Sequence, residues 1–190
     1  TPEEGRRLVE AIREVTDQPI RYLINASPHG DHVNSNEIFK NALIIAHKNA
    51  RDAIAAARES ATDNETALIL PHITYDKKMV LHVGMKRIEL HHFGFGHTRG
   101  DTVVYLPDDG VAFLTELYFH GIAASVGEGY AEQHLETLSH ALSLDAKWFI
   151  PGHGYIDGYS AAELREGANF YHRNVQAIHD AVLKHVNQGH

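Results

Sequence analysis

The sequence predicts a mixed α/β fold in a single domain spanning residues 1–190. Short apolar runs at 20–25, 43–46, 79–83, 87–92, 102–106, 111–115 and 148–150 are bounded by turn residues, as strands are. Longer stretches with helical character, at 1–17, 48–59, 131–144 and 160–186, alternate with them. No internal repeat, low-complexity tract or linker divides the chain, so one mixed unit is the economical reading.

Each element has a local cause. Thr1-Pro2-Glu3-Glu4 reads as a helix start, with Thr as N-cap, Pro at the first helical position and Glu at the third. Leu8, Ile12 and Val15 then form an apolar stripe that ends before Asp17-Gln18-Pro19. Residues 34–40 suit a turn or short helix, 43–46 a buried strand, and 48–59 an alanine-rich helix. Residues 60–66 are polar and read as a loop. Two hairpins follow, one turning at Gly84 and one at Pro107-Asp108-Asp109-Gly110. Residues 118–129 read as an irregular, glycine-containing loop of the kind that borders a site. Leu135, Leu138 and Leu142 mark one face of the next helix, and Ser160 opens the last.

Composition bounds the function. The apolar content of 43% predicts a soluble globular chain, and no run reaches the ~18 apolar residues of a membrane helix. The net charge of −8 and the lack of a basic stripe argue against nucleic acid as a partner. There are 16 histidines; protonating all of them would carry the charge from −8 to +8, so solubility should depend on pH in mild acid. Cysteine is absent, which excludes disulfides and thiolate zinc sites and leaves His, Asp and Glu as metal ligands. The chain opens on Thr1 without a signal-peptide pattern, which suggests a native N-terminus further upstream and leaves the compartment unread.

The chemistry concentrates in Ser27-Pro28-His29-Gly30-Asp31-His32, directly after the apolar run Tyr22-Leu23-Ile24. Alone this is equally well a polar turn with capping residues. Three more clusters share its plan of apolar strand, then turn with ligand: Gly96-His97-Thr98 after Leu90 and Phe93, Pro151-Gly152-His153-Gly154 after Ile150, and Glu116 after Val111-Ala112-Phe113-Leu114. Ligands at several strand ends converge on one sheet edge, and imidazole nitrogen with carboxylate oxygen suits zinc, iron or manganese. Glycines beside His97 and His153 let the backbone turn sharply.

In these motifs the chain resembles the metallo-β-lactamase superfamily of metal-dependent hydrolases, over roughly residues 20–154. The family signature H-x-H-x-D-H is matched by Ser27 to His32, the later histidines by Gly96-His97-Thr98-Arg99-Gly100-Asp101 and Pro151-Gly152-His153-Gly154, and the bridging position by Glu116. The resemblance implies a four-layer αββα sandwich and one or two metal ions, zinc first, with iron or manganese as alternatives. It places His29 and His97 on one metal, and Asp31, His32 and His153 on the other, with Glu116 between them.

Two departures follow. Ser27 stands where the family has a third histidine, and an uncharged hydroxyl is a poor ligand, so Ser27 reads as a weak or vestigial one. Glu116 replaces an aspartate and reaches one methylene further. The site of Asp31, His32 and His153 should therefore be the tighter. The resemblance also implies strands before residue 20 that this chain does not supply. It thus predicts an incomplete N-terminal sheet and an apolar face near 20–24, covered by a second copy in a homo-oligomer or by another partner.

In the reaction the resemblance implies, Asp31 is the catalytic residue that orients or deprotonates a water for attack on an ester, thioester, lactam or related bond. Asp101 reads as a brace for the His97 turn. Tyr118, His120 and Tyr130 are candidate pocket residues, with ordinary loop surface as the commoner reading. His91 and His92 alternate on one strand, and one of them suits a second contact behind a ligand. His47, His72 and His82 show no convincing partner set, and His172, His179 and His185 read as solvated. Two competing classes remain: a metal-poor or non-catalytic binding or assembly module, which Ser27 favours, and an iron-dependent oxidoreductase on the same scaffold.

Overall fold

The computed structural model describes residues 1–60, 68–123, 128 and 130–188. The chain folds as two compact units, Thr1–Asp76 and Lys77–His190.

The first unit opens with α1 (Pro2–Val15), capped as expected: the Thr1 side chain accepts from the Glu4 N–H and the Glu4 side chain returns to the Thr1 backbone. Gly5 is its buried residue, because a Cβ there would lie 2.7 Å from Ser35 Cβ. β1 (Tyr22–Asn25) leads into the short helix α2 (Gly30–Val33) and a 3-10 turn (Asn36–Phe39). β2 (Leu43–His47), α3 (Lys48–Ser60) and β3 (Ile73–Tyr75) follow. The three strands form a parallel sheet in the order β1-β2-β3, with β2 central and its Ile44, Ile45 and Ala46 wholly buried. A buried, reciprocal amide pair, Asn25–Asn36 at 2.9 Å in both directions, ties the end of β1 to the 3-10 turn.

The second unit is a five-stranded sheet, β4 (Lys78–Val83), β5 (Lys86–His91), β6 (Val103–Leu106), β7 (Val111–His120) and β8 (Trp148–Gly154), in sequence order. Pairing is antiparallel except between β7 and β8, which are parallel and joined through α4 (Ala131–Leu142). α5 (Ala161–Asn187), with a Ser160–Glu163 capping box, closes the unit. The core lies between the sheet and these two helices. Leu114, Leu117, Tyr118 and Phe149 of the strands meet Leu138, Ala141, Ala168 and Tyr171 of the helices, all at most 4% exposed.

The predicted α/β class with two sheets and outer helices holds. Several bounds move, for physical reasons. β7 runs to His120 rather than 115, since a register shift near Thr115 lets it re-pair with β8 at Phe119↔His153 and His120↔Gly154. Tyr118 and His120 are therefore strand residues, not loop residues. β8 likewise absorbs the whole Pro-Gly-His-Gly motif; Pro151 sits opposite Thr115 at the irregularity, where a missing N–H is tolerated. The strand at 73–75 carried no signal of its own, being three residues long. Of the two predicted loops, 61–66, 124–127 and 129 fall outside the described residues. No described helix is long and apolar enough to cross a membrane.

Candidate metal centre

Within the second unit, three of the sequence-predicted ligands meet. Glu116 is 2% exposed. Its two carboxylate oxygens face different imidazoles: Oε2 is 3.3 Å from His97 Nε2, and Oε1 is 2.8 Å from His153 Nε2. One carboxylate flanked by two imidazoles offers nitrogen and oxygen donors without a thiolate, a set that suits a divalent transition ion. The residues present therefore fit the metal the sequence implies.

The backbone around Glu116 is specialised. Thr115, directly before it, has φ +51°, the one non-glycine residue with positive φ among those described. Its Oγ1 donates to the Thr102 carbonyl at 3.0 Å, which holds the kink. β8 presses against the kink so closely that a Cβ on Gly152 would lie 2.4 Å from the Thr115 oxygen. A Cβ on Gly154 (φ +107°) would lie 2.0 Å from the His120 oxygen. Both glycines of Pro-Gly-His-Gly are thus required, and they seat His153 beside Glu116.

His97 is held by a separate turn. The Asp101 carboxylate accepts from the Thr98 N–H at 2.7 Å and from the Thr98 hydroxyl at 2.6 Å. Burial raises the Asp101 pKa above the usual carboxylate range, and the two Thr98 bonds oppose that shift. The Asp101 carbonyl bonds to His92 Nδ1 at 2.9 Å, and the Thr137 hydroxyl of α4 donates to the Phe95 carbonyl at 2.8 Å. Gly96 packs against Leu117, where a Cβ would come within 2.3 Å of Leu117 Cδ2.

In the first unit, Ser27, His29, Asp31 and His32 lie on one short segment from the end of β1 into α2. Ser27 is fully buried and its hydroxyl accepts from the His29 N–H at 3.4 Å, so it works as a turn residue. His29 is the extended residue that precedes α2, and Asp31 and His32 occupy its turn, with His32 Nε2 3.4 Å from Asp31 Oδ2.

Sequence reasoning missed two residues. Phe119 packs its ring on His97 (5.5 Å), His153 (5.0 Å) and Tyr171 (6.1 Å), so it underpins both imidazoles. Reading 118–129 as a loop hid it. His134 of α4 is fully buried behind Gly96; burial first, and the neighbouring His97 second, push its pKa down to about 4. Its helical spacing with Leu135 and Leu138 was a signal only for burial.

The other candidates have packing and bonding roles. Tyr118 is fully buried and hydrogen-bonded to His120 Nδ1, so it lines no open surface. Tyr130 packs on Phe95 at 5.2 Å. His91 stacks on Phe93 at 5.1 Å and bonds Glu89 at 2.9 Å. His47 and His72, which showed no partner set in the sequence, accept from the Asn49 and Ile44 N–H groups at 3.2 and 3.0 Å. His172 bonds the Ser139 hydroxyl at 2.9 Å.

Known structures share this fold. A metallo-beta-lactamase from Pontibacter korlensis superposes with a TM-score of 0.70 at 20% identity, covering 89% of this chain and 76% of that one. The DIM-1 metallo-beta-lactamase exposed to ceftazidime gives 0.69 at 20% identity, over 89% and 74%. TMB-1 gives 0.70 at 18% identity, over 93% and 78%. At such identities the likeness establishes the fold alone. The family model described as the metallo-beta-lactamase superfamily, generally metal-dependent hydrolases, matches residues 1–153. By the motifs, the fold and that match, the chain belongs to the metallo-beta-lactamase superfamily.

Proposed function

We propose that the protein is a zinc-dependent hydrolase acting on an ester, thioester, lactam or related bond. The observation that carries this reading is the buried Glu116 carboxylate with His97 and His153 on its separate oxygens. Family membership supplies the rest of the ligand set: His29 with His97 and Glu116 for one ion, Asp31 and His32 with His153 for the second. A bound divalent ion would lower the pKa of a coordinated water towards ~7 and polarise the scissile carbonyl.

The chain's own residues then have distinct tasks. Asp31, an exposed carboxylate, orients the attacking water and takes its proton. Glu116 would supply negative charge to an ion held beside His97 and His153. Asp101 and Phe119 hold His97 in its turn. Iron or manganese would satisfy the same nitrogen and oxygen donors.

One observation favours a second reading, a metal-poor binding or assembly module. The Ser27 hydroxyl is engaged with the His29 N–H, so the position that is histidine in the family serves the turn here.

Elemental analysis separates the two. The hydrolase reading expects at least one zinc, iron or manganese per purified chain, lost in His32→Ala and His153→Ala, together with turnover of one class in an ester, thioester and lactam panel. A metal-free protein of full thermal stability, inert against that panel, would leave the module as the answer.

A further inference from the structure

A cavity of about 790 Å³ lies within the second unit, beside α5, and none of its lining residues is a candidate metal ligand. This is the size of a small-molecule site. Phe119, His120, Tyr159, Phe170 and Tyr171 surround it with rings, and Asn174 stands at its edge. None of the described residues that line it is Asp, Glu, Lys or Arg. A charged ligand would lose its hydration there without gaining a counter-ion, which disfavours phosphates, nucleotides and free carboxylates. Aromatic walls with a few polar groups favour a flat, uncharged ring that carries a hydrogen-bonding substituent.

The walls are fixed by specific packing. Gly167 of α5 lies where a Cβ would approach the Tyr118 hydroxyl at 2.4 Å and His120 Nδ1 at 2.7 Å. The Tyr118–His120 hydrogen bond holds the His120 ring, which meets Tyr159 edge-on at 4.5 Å and 81°. Phe170 and Ile178, both lining residues, are more than half exposed, so apolar surface is open to an apolar guest. Phe119 is a wall of the cavity and also the ring beneath His97 and His153. An occupant would therefore touch the same ring that supports two candidate metal ligands.

We propose that this cavity binds a neutral aromatic small molecule, stacked among Phe119, Phe170 and Tyr171 with its polar substituent towards Asn174, Tyr159 or His120. Such a ring has two possible sources, the aromatic arm of the substrate or a separate molecule.

The test uses 2-naphthol as the probe and isothermal calorimetry on the purified full chain. The expected result is saturable binding of one molecule per chain at sub-millimolar concentration, weakened at least tenfold in Asn174→Trp and in Ala177→Phe. Both positions are exposed, so the added ring fills the cavity without entering the core. Binding that does not saturate overturns the proposal. So does undiminished affinity in whichever of the two variants keeps the wild-type Tm. This arm needs no catalytic activity, so its outcome stands apart from the hydrolase reading. Where an ester substrate is turned over, competitive inhibition by 2-naphthol assigns the ring to the substrate, and noncompetitive inhibition assigns it to a separate ligand.

Discussion

His153 Nε2 lies 2.8 Å from Glu116 Oε1, the oxygen opposite the one that His97 approaches. The contact joins two backbone irregularities. Thr115 adopts positive φ directly before Glu116, and Gly152 and Gly154 give up side chains on either side of His153. A positive φ on a non-glycine residue is uncommon and makes this contact the first place to test for a chemical role.

Glu116→Gln keeps the shape and removes the charge between the imidazoles. The expected outcome is a well-folded protein whose metal content falls by at least half and whose hydrolytic rate falls at least tenfold. Elemental analysis and the activity panel read this directly. Unchanged metal content would remove Glu116 from the ligand set.

Gly152→Ala places a methyl 2.4 Å from the Thr115 carbonyl oxygen, a backbone atom that cannot swing aside. Overpacking of this kind costs about 1–3 kcal/mol or more. Gly84 is the control: its φ is +61°, but nothing lies within 4 Å of its added Cβ. Gly84→Ala should therefore cost only about 1 kcal/mol, from backbone strain alone. Urea unfolding of the two variants gives the comparison, and equal losses would show that the β7–β8 approach can relax.

Asp101→Ala strips the Thr98 N–H of its buried acceptor and leaves the Thr98 hydroxyl without one of its partners. An unsatisfied buried donor costs roughly 1–3 kcal/mol. The loss should appear as a lower Tm and as weaker metal retention during dialysis against a chelator, because the same turn presents His97. A lower Tm with wild-type metal retention would confine Asp101 to folding.

Much of this could be read from the chain, and the boundary between legible and hidden is physical. Ser27 to His32, His97, Glu116 and His153 stood out as candidates because histidines and carboxylates cluster at strand ends there, and glycines flag the tight backbone. The Thr1 and Ser160 capping boxes were visible because capping is local. Phe119 was hidden because the continuation of β7 depends on re-pairing with β8, a partner some 30 residues away that no local pattern encodes. The partners of His47 and His72 are backbone N–H groups, which every sequence offers and none announces. His134 was hidden for a different reason. A histidine on the apolar face of a helix looks the same whether it is charged, bonded or merely buried.

Ser27→His restores the residue type that the family carries at this position. It also removes the hydroxyl that accepts the His29 N–H and enlarges a fully buried side chain. The expected outcome is up to one additional ion per chain, together with a Tm several degrees lower. Elemental analysis and calorimetry on one preparation separate the two effects. A lower Tm with no added metal would show that the segment can no longer accept a third histidine.

Burial of His134 makes the metal-free fold sensitive to acid. Its pKa is lowered from 6.5 to about 4, with burial as the largest cause and the neighbouring His97 next. The sign follows from proton counts: between these two values the unfolded chain holds a proton on residue 134 that the native state refuses, so stability rises with pH across that window. Its contribution is fully present above pH 6.5, declines as pH falls towards 4, and amounts to about 3 kcal/mol at about 1.4 kcal/mol per unit. His134→Leu replaces the ring with a non-titrating side chain of similar bulk and should flatten the pH dependence of unfolding between pH 4 and 6.5 by that amount. Urea midpoints at half-unit intervals, with chelator present in both proteins, provide the measurement. Parallel curves for variant and wild type would move the acid sensitivity to another of the 16 histidines.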